Sequence, residues 1–342
     1  MDARTAIDLI RRKAGNDAWA QLSASIAEDE ALVVSGSLVE GIGNLRSDLD
    51  FFVLSEAHRP DVPVRMMFTG DSWLDIEYVE ARTVRSLVHR IGTTDPQNSV
   101  EVLRISRPEL DRYYRLAIGP TIKGTYSQES MFSLERFGAV LRSWAIIHAG
   151  AFSRRAAIAL HHGDVTAAVL YAGHGAHLCA MGELTDVGEL YPSPKYTFEK
   201  AARAYGRDSA EVKAFAVLLH PADDPEYYVR GVASHVDAVL AEFLPATHDD
   251  NMMAEPTHPI MYDSREHVST LVTRKAAFDL LPEDTAAVAA LLPAANSQAP
   301  SPAPSQAREA DATFWAAEAH RLVIRQALLD AGVLKAVSGD AR

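Results

Sequence analysis

Two periods alternate along the first 120 residues. Residues 3–28 place Ala6, Leu9, Ile10 and Ala14 at helical spacing with charges between them, which predicts one or two helices. Four short runs of strand character follow. ALVVSG and LDFFVLS read as buried strands, and DVPVRMMFT as a third. In the fourth, SWLDIEYVEA, Leu74, Ile76 and Tyr78 alternate with Asp75 and Glu77. ARTVRSLVHRIG returns to the helical period and is predicted to close at Gly92.

From about Glu129 the pattern becomes helical. QESMFSLERFGAVLRSWAIIHAG sets Phe137, Leu141, Trp144 and His148 on one stripe, with an expected end at Gly150. Gly163 is placed to stop one helix and Asp164 to cap the next. GRDSAEVKAFAVLLHP pairs Asp208 with Glu211 as a capping box and has Pro221 as a stop. Pro225 suits a first helical position. Residues 294–310 are a Pro/Ser/Ala/Gln linker, and 311–336 read as a final amphipathic helix. The expected fold is α+β: a mixed-sheet domain over 1–120, an all-helical domain over 121–293, the linker, and a C-terminal helical segment over 311–342. That last helix suits either the chain's own body or a homodimer.

Composition narrows the function classes. At 342 residues the chain is long enough for two domains. Thirty-three Lys and Arg against 46 Asp and Glu give a formal charge of −13, which disfavours nucleic acid and favours a cationic partner. One cysteine, Cys179, excludes a disulfide framework and a cysteine cage within the chain, and it is assigned to the core. No run approaches the ~18 apolar residues of a membrane span, and residues 1–19 lack a signal-peptide core. The expectation is a cytoplasmic protein without membrane partners. Among 13 histidines, His174 and His177 lie three apart and His161 and His162 are adjacent. Neither pair has a carboxylate or cysteine spaced with it as a zinc set, so both are assigned structural or surface roles. Phe137, Leu141 and Trp144 are assigned to the core.

The chemistry-bearing stretch is VVSGSLVEGIGNLRSDLDFFVL, residues 33–54. Residues two apart on a strand share a face, so Asp48 and Asp50 project together. Two adjacent carboxylates repel unless a cation lies between them, and magnesium suits an oxygen-only pair. Gly36 lets backbone approach a phosphate, the N–H groups opening SLVEGI face an anion, and Ser37 adds a hydroxyl. A third acid is expected on a neighbouring strand, where Asp75 and Glu77 share a face. No Gly-Lys-Ser/Thr follows the glycines, which disfavours a P-loop, and their spacing fails the Rossmann fingerprint.

This stretch resembles the signature of the DNA polymerase beta-type nucleotidyltransferases: Gly-Ser, a spacer of about ten residues, then Asp-x-Asp within apolar residues, often preceded by Ser. The matching positions are Gly36, Ser37, Ser47, Asp48 and Asp50, with Asp75 in LDIEY favoured over Glu77 as the later strand acid. The resemblance covers about residues 31–80. It implies two Mg²⁺ ions held by Asp48, Asp50 and Asp75, and a nucleoside triphosphate cradled by Gly36 and Ser37. Arg46 reads either as a phosphate contact or as a solvated loop arginine. The later helices are similar in style to the small-molecule, aminoglycoside branch, which places a lysine before an aromatic near the triphosphate. Lys195 before Tyr196 has that pattern. The implied activity moves a nucleoside monophosphate to a small hydroxylated or aminated acceptor, such as an aminoglycoside-like antibiotic or a biosynthetic intermediate, and releases pyrophosphate. Glu77, Glu135 and Glu183 are candidate bases. The alternatives are transfer to tRNA or protein, or a family member that binds nucleotide or a partner without turnover.

Overall fold

The computed structural model describes residues 1–243 except 45–46, 57–63, 70–71, 98, 127–130, 162 and 222, and beyond them the backbone of five short strands. The chain forms two compact units. The first comprises Met1–Asp95, Arg104–Leu141 and Leu184–Ala204.

The first unit opens with α1, Ala3–Ser25, capped by the Asp2 carboxylate on the Thr5 N–H. Gly15 interrupts it at φ 87, so the stretch that reads as one or two helices is two arms joined at a kink. The strands are β1 (Ala31–Ser35), β2 (Leu49–Ser55), β3 (Val64–Phe68), β4 (Trp73–Glu80) and β5 (Thr121–Lys123). They form one mixed sheet in the order β3-β4-β2-β1-β5, with β2 and β4 parallel and the other pairs antiparallel. A short α2, Ser37–Glu40, follows β1.

Strand alternation divides the core. On one face Leu32, Val34, Phe51, Val53, Leu74 and Ile76 pack with Ala6, Ile10 and Leu22 of α1. On the other, Val33, Phe52, Leu54 and Val79 pack with Val84 of α3 (Ala81–Thr93) and Leu116. Helix α3 ends at Thr93, one residue past the expected close at Gly92. A short α4, Ser99–Leu103, precedes α5, Arg107–Ile118, which carries Leu116. Helix α5 starts at a capping box in which the Ser106 N–H donates to Glu109.

Helix α6, Leu134–His161, passes through Gly150, where an end was expected. Its stripe of Phe137, Leu141 and Trp144 is buried as predicted. Gly163 ends the turn after it, and Asp164 caps α7, Val165–Leu184, through the Ala167 N–H. Helix α8 is Thr197–Tyr205, α9 is Ala210–Leu219 and α10 is Pro225–Phe243. Ser209, not Asp208, caps α9, because its hydroxyl accepts the Val212 N–H. The second unit is mostly helical. Its two small sheets pair Met253–Pro256 with Leu334–Val337, and Met261–Arg265 with Val268–Val272 and Ala277–Leu280. Leu334–Val337 is thus strand where a helix to residue 336 was expected, while residues 281–333 lie outside the described residues.

Candidate active site

Register assembles the site. Asp50 of β2 stands opposite Ser35 of β1 on one side and Asp75 of β4 on the other. Period two puts all three on the face of the sheet that carries Val33, Phe52 and Val79. Asp48 lies two residues before Asp50, just ahead of β2. The Lys13 ammonium holds the approach to it by donating to the Ser47 carbonyl at 2.6 Å. Ser47 also closes a turn, its hydroxyl accepting the Asn44 N–H at 2.9 Å.

Gly36 is required here on two counts. It joins β1 to α2 at φ 83, where an L side chain is strained, and a Cβ on it would sit 1.9 Å from Asp50 Oδ2. Ser37 is buried, and its carbonyl accepts from the Ile42 and Gly43 N–H groups, which fixes the loop leading away. The Gly36 backbone therefore packs directly against the Asp50 carboxylate.

The electrostatics follow from placement. Burial pushes Asp50 up to about 6 from 3.8, Arg115 opposes it, and the charges of Asp75, Asp111 and Asp48 add to the rise. Asp75 Oδ1 is buried and has no hydrogen-bond partner among the described residues. A buried, unpartnered carboxylate oxygen beside a second carboxylate is a group that a bound cation would satisfy. Oxygen-only ligands of this kind fit magnesium, and Asp48, Asp50 and Asp75 would hold it.

The sequence reading missed α5 and its arginine. Arg115 Nη2 lies 3.1 Å from Asp50 Oδ1 and donates to Ser35 Oγ at 3.1 Å, while Nη1 donates to Asp111 Oδ2 at 3.2 Å. Its guanidinium also lies 4.9 Å from the centre of the Phe52 ring. Burial works against the Arg115 charge, but Asp50 and Asp111 outweigh it and hold the group above its ordinary value. The capping box at Ser106-Arg-Pro-Glu109 is a sequence signal that would have revealed the helix. Nothing local would have revealed its partner on β2.

Glu77 faces the same side as Asp75, but it is ion-paired with Arg112 of α5. Arg112 Nε also donates to it at 3.1 Å. Lys195 sits in a 3₁₀ turn, Pro194–Tyr196, immediately before α8, with its ammonium 5.0 Å from the Tyr196 ring centre. A run of rings leads from there towards the acids: Tyr196 lies 5.9 Å from Tyr191, and Tyr191 lies 5.8 Å from Tyr114. Tyr191 is close enough to Arg115 and Asp50 to feel both charges. Arg203 of α8 links the two halves of this arrangement. It donates to the Glu40 carbonyl of α2 at 2.8 Å and pairs with the Glu40 and Glu189 carboxylates. Tyr114 donates to Glu40 Oε2 at 2.6 Å. Buried Lys200 donates to the Tyr191 carbonyl at 2.7 Å, and burial lowers its pKa to about 8. Arg46 lies outside the described residues. Glu135 lies in the first turn of α6, and Glu183 pairs with His235 in the second unit.

No protein-family model matches the chain, and no curated protein does. Among solved structures, a nucleotidyltransferase-like protein from Exiguobacterium sibiricum 255-15 is similar, at 13% identity over 68% of this chain and 76% of its own. Its TM-score of 0.37 is too low for the likeness to bear on site or activity. Among the described residues, no helix is long and apolar enough to cross a membrane.

Proposed function

We propose that this chain is a magnesium-dependent nucleotidyltransferase that moves a nucleoside monophosphate from a triphosphate to a small acceptor. One observation carries the reading. Asp50 and Asp75 stand in register on parallel neighbouring strands, and the Gly36-Ser37 corner closes on Asp50 from the adjoining strand.

Bound magnesium would neutralise phosphate charge and lower the pKa of an acceptor hydroxyl. The chain's own residues do the rest. Asp48, Asp50 and Asp75 hold the ions. Gly36 offers backbone without a side chain, and Ser37 a hydroxyl, to the polyphosphate. Lys195 supplies a positive charge for the departing pyrophosphate. Arg115 fixes the Asp50 carboxylate through one oxygen and leaves the carboxylate's orientation defined. The net charge of −13 favours a cationic acceptor, as an aminoglycoside-like or other aminated molecule is, over tRNA.

A second reading has its own observation. Arg115 on Asp50 and Arg112 on Glu77 place two built-in cations against acids of this face. On that reading the chain would bind nucleotide without turnover. Pyrophosphate release, measured with each common triphosphate and a panel of aminated acceptors, separates the two. Wild type releases pyrophosphate only with Mg²⁺ present, and Asp50→Asn loses at least about a hundredfold in rate while keeping its circular dichroism. Absence of release with every triphosphate, or full activity in Asp50→Asn, refutes the transferase.

A further inference from the structure

Helices α7 and α10 bring Cys179, Glu183 and His235 together in the second unit. Cys179 and Glu183 are one turn apart on α7 and share a face. His235 arrives from α10. Its Nε2 lies 3.1 Å from Glu183 Oε2, and Cys179 Sγ lies 4.0 Å from the same oxygen. All three ligand atoms fall within 4.8 Å of one another. Around a tetrahedral zinc, with sulfur at about 2.3 Å and nitrogen or oxygen at about 2.0–2.1 Å, ligand atoms stand about 3.3–3.5 Å apart. These two separations bracket that range, and the third lies within 4.8 Å. Cys179 is fully buried, whereas Glu183 and His235 are partly exposed, which leaves water access to a remaining position.

We infer that Cys179, Glu183 and His235 form a site for a zinc-class divalent ion, with three protein ligands and one position left for water. The site is separate from the nucleotidyl-transfer reading and does not depend on it. Thiolate and imidazole select zinc-like ions and disfavour magnesium, which takes oxygen ligands. The chain then carries two metal sites of different chemistry. Binding replaces the Cys179 S–H bond by an S–Zn bond, and the proton passes to solvent. A protonated His235 also gives up its proton, and Glu183 exchanges its hydrogen bond to His235 for the metal. Without metal, burial first and then the Glu183 charge push the Cys179 thiol up, so the free thiol is a poor nucleophile. The hydrogen bond that His235 donates to Glu183 raises the pKa of His235 against the effect of burial. An ion there clamps α7 to α10 and stabilises the folded unit by mass action.

Cobalt(II) titration of the full-length, tag-free chain tests this. Cys179 is the single cysteine, so a thiolate-to-cobalt charge-transfer band has one possible source even if cobalt also fills the aspartate cluster. The band should saturate at one cobalt per chain, vanish on zinc addition, and be absent in Cys179→Ser. His235→Ala, at a partly exposed position, keeps the fold by circular dichroism. It should weaken binding by more than the about 10–100-fold typical of losing an outer-shell partner. It should also lose the zinc-induced rise in Tm seen in wild type. A folded wild type with no band, or a His235→Ala variant with the wild-type band and affinity, overturns the site.

Discussion

Asp50 sits where three pressures meet: burial, the neighbouring acids, and the Arg115 guanidinium. Its value of about 6 against an ordinary 3.8 means the folded chain holds that proton more tightly than the unfolded chain does. Below about pH 4 both states are protonated and the group costs nothing. As pH rises through about 6, the ionised carboxylate lowers stability. In metal-free buffer Asp50→Asn should therefore be more stable than wild type above about pH 6, by about 1–3 kcal/mol, and equal to it below about pH 4. Urea melts across pH measure this, and an advantage that is flat with pH contradicts the assignment. Gly36→Ala works in the opposite sense. The added methyl meets Asp50 Oδ2 at 1.9 Å in a backbone region that favours glycine, so a loss of about 1–3 kcal/mol and of triphosphate binding is expected. Unchanged stability and binding in that variant would mean that the corner relaxes freely. The Gly36 and Asp50 grouping was legible because both lie in one short stretch, whereas Asp75 was favoured from the family resemblance and meets Asp50 only through β2–β4 pairing. Arg115 was not, because the sequence marks it only as one of 33 basic residues.

At the scale of elements, α2 is too short to hold itself and depends on α8. Arg203 supplies that tie by reaching both Glu40 and Glu189, whose carboxylates are nearly buried. Removing it strands two acids, and a fully buried pair broken this way costs about 3–5 kcal/mol. Arg203 is partly exposed, so Arg203→Ala should lose about 2 kcal/mol and raise KM for the triphosphate more than it lowers kcat. A variant with unchanged KM would separate α8 from the Gly-Ser corner. Caps and glycines show where element-level reading succeeds and fails. Gly163 with Asp164, and Pro225, act as predicted because each sits at the end of an apolar period. Gly150 sits inside one, with Ala149 and Ala151 buried on either side, and α6 continues past it. Helix α5 went unread although its capping box is local and Leu110, Tyr113 and Tyr114 fall at helical spacing.

For the whole molecule, the α+β division was legible in the switch from strand runs to helical runs. The sheet order β3-β4-β2-β1-β5 was not, since pairing across β2 and β4 depends on which faces bury together. The Cys179, Glu183 and His235 group shows the same limit: His235 lies 52 residues beyond Glu183, and no spacing rule joins them. The central claim is that Asp48, Asp50 and Asp75 hold a divalent ion that in turn holds a triphosphate. Calorimetric titration of a non-hydrolysable triphosphate, with and without Mg²⁺, into wild type and Asp75→Asn tests it most directly. The account predicts binding that requires Mg²⁺ in wild type and weakens at least about tenfold in Asp75→Asn. Equal affinity with and without the metal, or an Asp75→Asn variant that binds as wild type does, would contradict it.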